Sequence, residues 1–148
     1  MKALREYLIH ARAANAPHLQ ALVLGNPSAD MDSVVSSFAL SWLCGSRADH
    51  PPYSPVINCS RNELKLRIDI VRHLSNFGID DQFLADNVLF ADDLQDADAS
   101  KVESVALVDF NQINKELEAY GFDNKVHYIV DHHVDDGLYG DTLKEKEI

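Results

Sequence analysis

The chain has 148 residues, of which 46% are hydrophobic and 25% charged, a composition that is typical of one globular domain and excludes disordered and fibrous classes. Its 24 acidic and 13 basic residues give a net charge of −11, so we expect no nucleic-acid or membrane partner. The two cysteines, Cys44 and Cys59, are too few for a disulfide framework. With no signal-peptide pattern and no apolar run near the roughly 20 residues of a membrane helix, we expect a cytoplasmic protein.

The first predicted elements are a helix, a strand and a second helix. Leu4, Leu8 and Ala11 recur at helical spacing and predict an amphipathic helix that ends near residues 15–17. The short apolar run LQALVLG then predicts a buried strand. Residues 32–44, DSVVSSFALSWLC, predict a helix packed on a sheet. The prolines of the following stretch, RADHPPYS, predict a loop.

The rest of the chain alternates between predicted strands and helices. PVIN predicts a second strand, and NELKLRIDIVRHLSNFG predicts one helix with Leu64, Ile68, Val71 and Leu74 on one face. NVLF, VESVALVDF and KVHYIVD predict three more strands, with a short helix at INKELEAYG before the last of them. The polar tail DTLKEKEI is predicted to be loose. This order predicts an α/β fold with a parallel, doubly wound, Rossmann-like sheet of about five strands flanked by helices.

Acidic residues follow three of these strands. Asp30 and Asp32 follow the first, Asp109 ends the fourth, and Asp131, His132 and His133 follow the fifth. The carboxyl ends of parallel strands lie along one edge of a sheet, so these side chains are expected to converge there. Crowded carboxylates repel one another unless cations neutralise them, and oxygen ligands with an imidazole suit Mn²⁺ or Mg²⁺. The pattern therefore predicts a two-metal site.

Each motif taken alone has a simpler interpretation. The pair of aspartates before a serine is common helix-capping chemistry, and Asp109 with Asn111 could begin a turn. Adjacent histidines after an apolar strand are harder to explain without a function. The combination of three strand ends favours the site.

The ordered motifs NPSADMDS, ALVDFN and IVDHH resemble the first three motifs of the DHH phosphoesterase family. NCSRNELKLRIDIVRHLSNFGI and VLFADDL are similar to segments of the eukaryotic cytosolic exopolyphosphatases, the branch shared with prune-type proteins. DHHVDDGLY is especially similar to the fungal members. The resemblance extends from Leu22 to Tyr139.

The resemblance implies a role for each matching residue. Asp30 would bind the first metal, with Asn26 beside it where related manganese pyrophosphatases have a histidine. Asp32 and His132 would bind the second metal, and Asp109 would bridge both. The two cations would activate a water for attack on a terminal phosphoryl group.

The remaining residues implied by the resemblance would contact the phosphate or support the site. His133 would face the phosphoryl group as a hydrogen-bond donor or proton source, and Asp131 would orient the turn. Arg61 is a candidate for phosphate contact, whereas Arg67 in a predicted amphipathic helix is equally explained as a surface salt-bridging side chain.

The predicted substrate is inorganic polyphosphate or another small phosphoanhydride, and the oligomeric state is not predicted. Family members carry a further strand-end aspartate and a second domain, and nothing after His133 resembles either. Residues 1–148 are therefore expected to form a single, incomplete catalytic domain with an incomplete second metal site and an open cleft. Three alternatives stay open: a non-catalytic metal- or phosphate-binding remnant, a prune-type nucleotide or short-chain polyphosphate hydrolase, and a manganese pyrophosphatase.

Overall fold

A computed structural model describes residues 2–15, 19–47 and 51–148. The predicted end of the first helix, near residues 15–17, and the first part of the predicted loop RADHPPYS lie partly outside these ranges. Within them, no helix has the length and apolar character needed to cross a membrane.

The described residues form one six-stranded sheet whose strands are all parallel. The strands lie in the order β3-β2-β1-β4-β5-β6. Their bounds are Ala21–Leu24 (β1), Ser54–Ile57 (β2), Leu89–Phe90 (β3), Ser104–Val108 (β4), Val126–Val130 (β5) and Glu145–Glu147 (β6). The order reverses between β1 and β4, which in a sheet of this kind leaves a crevice for ligands at the carboxyl ends of the strands. The predicted α/β class and Rossmann-like sheet are confirmed.

Helices lie on both faces of the sheet. In the described part of the chain they are Lys2–Ala14 (α1), Met31–Gly45 (α2), Arg61–Leu64 (α3), Ile68–Ser75 (α4), Asp81–Asn87 (α5), Ala91–Leu94 (α6) and Lys115–Ala119 (α7). The predictions for α1, α2 and α7 are confirmed, whereas α5 and α6 were not predicted. Both missed helices are short, so their sequences hold few turns of apolar periodicity.

Each face of the sheet has its own apolar core. On one face Phe38 of α2 packs with Leu8 of α1 and Ile70 of α4. On the other face Leu24 and Leu107 of the central strands pack with Phe122. Each fully buried side chain of this size contributes about 1.5–3 kcal/mol to the stability of the fold. The core around Phe122 and a smaller apolar cluster on the opposite face of β1 and β4 fix the central strands, from whose carboxyl ends the site residues extend.

The predicted single helix over NELKLRIDIVRHLSNFG is wrong, because two helices replace it. The backbone of Arg67, at φ −90° and ψ 68°, leaves the helical region between α3 and α4. The helical phase restarts there, so Ile70 is fully buried while Ile68 is 73% exposed. The predicted apolar face included Ile68 because an unbroken helix places it beside Leu64.

The prediction of a loose tail is also wrong, because residues 145–147 form β6. Its backbone pairs with β5 in the register Tyr128 with Glu145 and Val130 with Glu147. The backbone N–H of Lys144 donates to His127 O at 2.7 Å, and that of Asp131 donates to Glu147 O at 2.9 Å. An edge strand is stabilised by such backbone hydrogen bonds and tolerates a charged sequence, so hydrophobic patterning does not reveal it.

Candidate metal and phosphate site

The three predicted motifs meet at the carboxyl edge of the sheet, beside the crevice between β1 and β4. Asp30 and Asp32 lie at the start of α2, which follows β1. Asp109 directly follows β4, and the Asp131–His133 segment directly follows β5. The sheet therefore brings together residues that are about 100 positions apart in the sequence.

The turn after β1 is organised by hydrogen bonds between close neighbours in sequence. Asp30 is the N-cap of α2, and its Oδ1 accepts a hydrogen bond from the backbone N–H of Ser33 at 3.2 Å. The Ser28 hydroxyl donates to Asp30 Oδ2 at 3.1 Å. Ala29, just before the cap, has a left-handed φ of 46°. This turn directs two carboxylates toward the crevice at the start of one helix.

The pKa of Asp30 lies below its ordinary value. Burial opposes ionisation of this carboxyl, but the hydrogen bonds that it accepts from Ser33 and Ser28 favour the ionised form. The positive charge of Arg67 acts in the same direction. Asp30 is therefore a carboxylate, the form that binds a metal, at neutral pH.

Asp109 is the buried centre of the site. It is 6% exposed, and its backbone has a left-handed φ of 64°. Its Oδ2 accepts a hydrogen bond from Asn26 Nδ2 at 3.0 Å, and its Oδ1 lies 3.0 Å from His132 Nε2. A left-handed backbone is uncommon for a residue other than glycine, although aspartate tolerates it better than most, and such strained positions cluster at functional sites.

The pKa of Asp109 lies above its ordinary value, in contrast to that of Asp30. Burial is the largest cause, and the negative charge of Asp32 is the next. The charge of Asp30 adds to this effect, while the hydrogen bond with His132 partly opposes it. A cation among these carboxylates would remove the repulsion that raises this pKa.

Two groups of side chains in the described part of the chain could hold a metal ion, and Asp109 belongs to both. Ligand atoms of Asp30, Asp32 and Asp109 lie within 4.8 Å of one another, as do those of Asp109, His132 and His133. Carboxylate oxygens with imidazole nitrogens fit a hard or borderline divalent cation. A carboxylate that belongs to two such groups could contact a cation in each of them.

Asp131 organises the turn that carries the two histidines. Its side chain is fully buried, and its Oδ1 accepts hydrogen bonds from His133 Nδ1 at 2.7 Å and from the backbone N–H of His132 at 2.8 Å. Burial opposes ionisation of Asp131, but these bonds and one from Asn111 outweigh it and lower its pKa. The hydrogen bond to Asp131 in turn raises the pKa of His133.

Asn26 connects the turn after β1 with Asp109. Its Nδ2 donates to Asp109, and its Oδ1 accepts a hydrogen bond from the backbone N–H of Ser28 at 2.6 Å. Its amide nitrogen, which is not a metal ligand, is therefore the group that faces the Asp109 carboxylate. The predicted metal contact of Asn26 stays a prediction.

The two predicted arginines differ in their surroundings. Arg61 Nη2 donates to Asp93 Oδ2 at 2.8 Å, and the guanidinium lies 4.6 Å from the centre of the Phe90 ring. Arg67 lies at the break between α3 and α4, where its charge acts on Asp30. A phosphate contact by Arg61 would compete with the bond to Asp93, and this role stays a prediction.

Asn111 is the residue of the site that the sequence did not reveal. Its side chain donates to Asp131 Oδ2 at 2.6 Å and is buried between the turns that follow β4 and β5. The one signal in the sequence is its position two residues after Asp109, which by itself predicts a turn.

Comparison with known proteins agrees with this arrangement. A family model described as "DHH family, N-terminal domain" matches residues 20–146. A Schizosaccharomyces pombe protein named as an exopolyphosphatase is 29% identical over 136 residues, covering 90% of this chain and 34% of the relative. The human protein named "Exopolyphosphatase PRUNE1" is 41% identical over 64 residues, covering 43% of this chain and 14% of the relative.

These matches agree with the resemblance to the exopolyphosphatase and prune branch. The chain spans about a third of the length of the S. pombe relative. Because the family model matches well over half of the chain, the chain belongs to the DHH family and corresponds to its N-terminal domain.

Proposed function

We propose that this chain is the catalytic domain of a divalent-metal-dependent phosphohydrolase that releases terminal orthophosphate from inorganic polyphosphate. The observation that carries the proposal is the position of Asp109 in both groups of candidate metal ligands. Family membership and the names of the two relatives support a phosphohydrolase.

Two Mn²⁺ or Mg²⁺ ions would be held on either side of Asp109. Asp30 and Asn26 would belong to the first position, Asp32 and His132 to the second. This division differs from the two groups of neighbouring ligand atoms, in which Asp32 lies with Asp30 and His132 lies with His133, so Asp32 would have to reach across from the first group to the second position. When bound, such ions lower the pKa of a coordinated water and offset charge on the phosphoryl oxygens. Asp109 would fix the spacing between the two positions through its two oxygens.

His133 would act on the phosphoryl group itself. Its side chain is 52% exposed, and one ring nitrogen is held by Asp131. The other ring nitrogen is then available to donate a hydrogen bond or a proton to a terminal phosphoryl oxygen. A fixed donor at this position stabilises negative charge that develops during hydrolysis.

Because the protein has a net charge of −11, it repels a polyanionic substrate, and binding of such a substrate requires cations at the site. Bound metal ions would supply most of that charge, and Arg67 is placed to add to it because its charge acts on Asp30. Arg61 would join them on release from Asp93. The proposed partner is polyphosphate or another small phosphoanhydride in the cytoplasm, with no nucleic acid and no membrane.

Titration calorimetry with Mn²⁺ tests the metal site. We expect the wild type to bind Mn²⁺ and Asp109→Ala to lose most of the affinity, because the variant removes the shared carboxylate. The exposed acid Asp141 provides the matched control, and Asp141→Ala should bind as the wild type does. Equal binding by Asp109→Ala and the wild type would contradict the bridging role.

Phosphate release tests the substrate. Long-chain polyphosphate, pyrophosphate and a nucleoside polyphosphate would be compared in the presence of Mn²⁺ or Mg²⁺. Release from the long chain alone supports the proposal, whereas preference for pyrophosphate or the nucleotide favours the pyrophosphatase or prune-type alternative. Tight Mn²⁺ binding without release from any of the three favours the non-catalytic alternative.

A further inference from the structure

The amide of Asn111 forms three hydrogen bonds, and each reaches the turn that carries the histidine pair. Its Nδ2 donates to Asp131 Oδ2 at 2.6 Å and to Val134 O at 3.0 Å. Its Oδ1 accepts a hydrogen bond from the backbone N–H of Asp136 at 3.1 Å. Both donor hydrogens and the amide oxygen are therefore used.

These hydrogen bonds restrict Asp131 to one orientation. Asn111 contacts Oδ2, while His133 Nδ1 and the backbone N–H of His132 contact Oδ1. Because the Asp131 side chain is fully buried, water cannot replace a lost donor easily. Removal of the Asn111 donor would leave Oδ2 without a partner and allow the carboxylate to rotate.

The orientation of Asp131 determines which nitrogen of His133 is available. A carboxylate oxygen only accepts hydrogen bonds, so the Nδ1 atom that contacts Asp131 carries a hydrogen. Nε2 is then the ring nitrogen left for other contacts. The second partner of a histidine fixes its tautomer in the same way in many metal sites.

We propose that Asn111 is a positioning residue, which holds Asp131 so that His133 keeps Nδ1 on that carboxylate and presents Nε2 to the substrate. The effect of Asn111 on catalysis rests on the proposed function, in which His133 faces the phosphoryl oxygen. The tautomer itself can be measured without turnover.

Nitrogen NMR of the histidine rings in the metal-free, full 148-residue chain provides the direct test. The His133 signals are assigned by their loss in His133→Gln. We expect Nδ1 to be protonated in the wild type and a shift toward Nε2 protonation, or an average of both, in Asn111→Ala. The spectra are recorded at a pH at which the His133 ring is neutral, and a neutral wild-type ring protonated at Nε2 instead of Nδ1 would overturn the proposal without any variant.

Two further variants separate positioning from general stabilisation. Asn114 is the N-cap of α7 and accepts a hydrogen bond from Leu117 N at 2.9 Å, so Asn114→Ala weakens the fold without contact to Asp131. We expect Asn114→Ala to leave the His133 tautomer unchanged. Asn111→Leu keeps approximately the size of the side chain and removes its donors, so it should shift the tautomer as Asn111→Ala does.

The double variant Asn111→Asp, Asp131→Asn exchanges the amide and the carboxylate. The amide at position 131 can still accept from His133 Nδ1 and can now donate to position 111, so part of the wild-type tautomer should return. A purely structural role predicts no such rescue. An unchanged tautomer in folded Asn111→Leu would overturn the proposal.

Kinetics and metal binding keep this inference distinct from the proposed function. With a hydrolysed phosphoanhydride, Asn111→Leu should lower kcat about 10-fold or more and leave Mn²⁺ affinity near the wild-type value. Loss of Mn²⁺ affinity equal to that of Asp109→Ala would instead assign Asn111 to the metal site and contradict positioning through His133. If no substrate is hydrolysed, the proposed function fails while the tautomer still decides the inference.

Discussion

The two walls of the site are built in different ways. The β1 wall consists of Asn26, Asp30 and Asp32, and its internal hydrogen bonds join residues two to seven positions apart. The β4–β5 wall consists of Asp109, Asn111 and residues 131–133. Two of its bonds are local, from His132 and His133 to Asp131, but the bonds that connect its two turns join residues 20 to 25 positions apart. Asp30 is half-buried and Asp32 exposed, whereas Asp109 and Asp131 are buried.

Because the hydrogen bonds of the β1 wall are local and those between the two turns of the β4–β5 wall are long-range, substitutions should affect the two walls differently. In the β1 wall, the Asp30 carboxylate both caps α2 and is a candidate metal ligand. A substitution that keeps the cap but removes the ligand can separate these two roles. A long-range wall exists only in the folded sheet, so a change in one residue propagates to its partners on the other strand. Asn26 joins the two walls through its bond to Asp109, 83 positions away.

The largest effect is expected from Asp109→Asn, which removes the negative charge that both groups of ligands share. Asparagine tolerates the left-handed backbone of this position, so the fold should persist. We expect Mn²⁺ affinity to fall by about 100-fold or more, measured by calorimetry. Asp141→Asn is the control.

The same variant should stabilise the metal-free protein. The pKa of Asp109 is raised from 3.8 by burial and by the charges of Asp32 and Asp30, so ionisation of this group costs stability once the pH rises above its ordinary value. At neutral pH the wild type carries that cost and Asp109→Asn does not. Urea unfolding without metal should therefore show a higher free energy of unfolding for Asp109→Asn, and a lower one would contradict this account.

Asp30→Ser sharpens the comparison in the local wall, because serine also caps helices but is a poorer metal ligand. We expect Mn²⁺ affinity to fall by about 10- to 100-fold, while the free energy of unfolding of the metal-free protein changes by less than about 0.5 kcal/mol. Asp30→Ala should lose the same affinity and an additional ~1 kcal/mol of stability. Equal stability of the two variants would show that the cap contributes nothing.

Asn26→His tests the link between the walls and should have a smaller effect. Imidazole nitrogen is a good ligand for divalent cations, whereas the Asn26 amide nitrogen only donates to Asp109. We expect Mn²⁺ affinity to rise about 10-fold, and Asn26→Ala to weaken it. Lower affinity in Asn26→His would mean that the hydrogen bond to Asp109 matters more than an added ligand.

The smallest effect is expected from His127→Gln, within β5 and outside both groups of ligands. Burial lowers the pKa of His127 from 6.5, and the charges of Lys144 and Lys125 add to this. The unfolded chain therefore binds more protons between the folded pKa and 6.5, so the wild type loses stability as the pH falls through this window.

Urea unfolding of the metal-free protein on both sides of pH 6.5 measures this difference. The loss of stability on acidification should be smaller in His127→Gln than in the wild type, and Mn²⁺ affinity should be unchanged. An identical pH dependence in both proteins would exclude His127 as its source.

The sequence predicted the strands that carry the site because β1 and β4 are apolar runs buried on both faces, and the partly buried β5 is also mostly apolar. It failed where backbone geometry decided the structure. The break at Arg67 moved Ile68 out of the core, and backbone pairing turned the charged residues 145–147 into an edge strand. Neither event has a signature in hydrophobic periodicity.

The sequence by itself determined the residue types of the site, the order along the chain of the strands that carry these residues, and the family to which the motifs point. Tertiary structure alone placed Asp109 in reach of both Asp30 and His132, since that proximity follows from the order in which the parallel strands lie. It also decided that Asn111 contacts Asp131 rather than a local turn. The reason is physical: local propensity acts over a few residues, whereas hydrogen bonds between strand ends form only after the sheet has assembled.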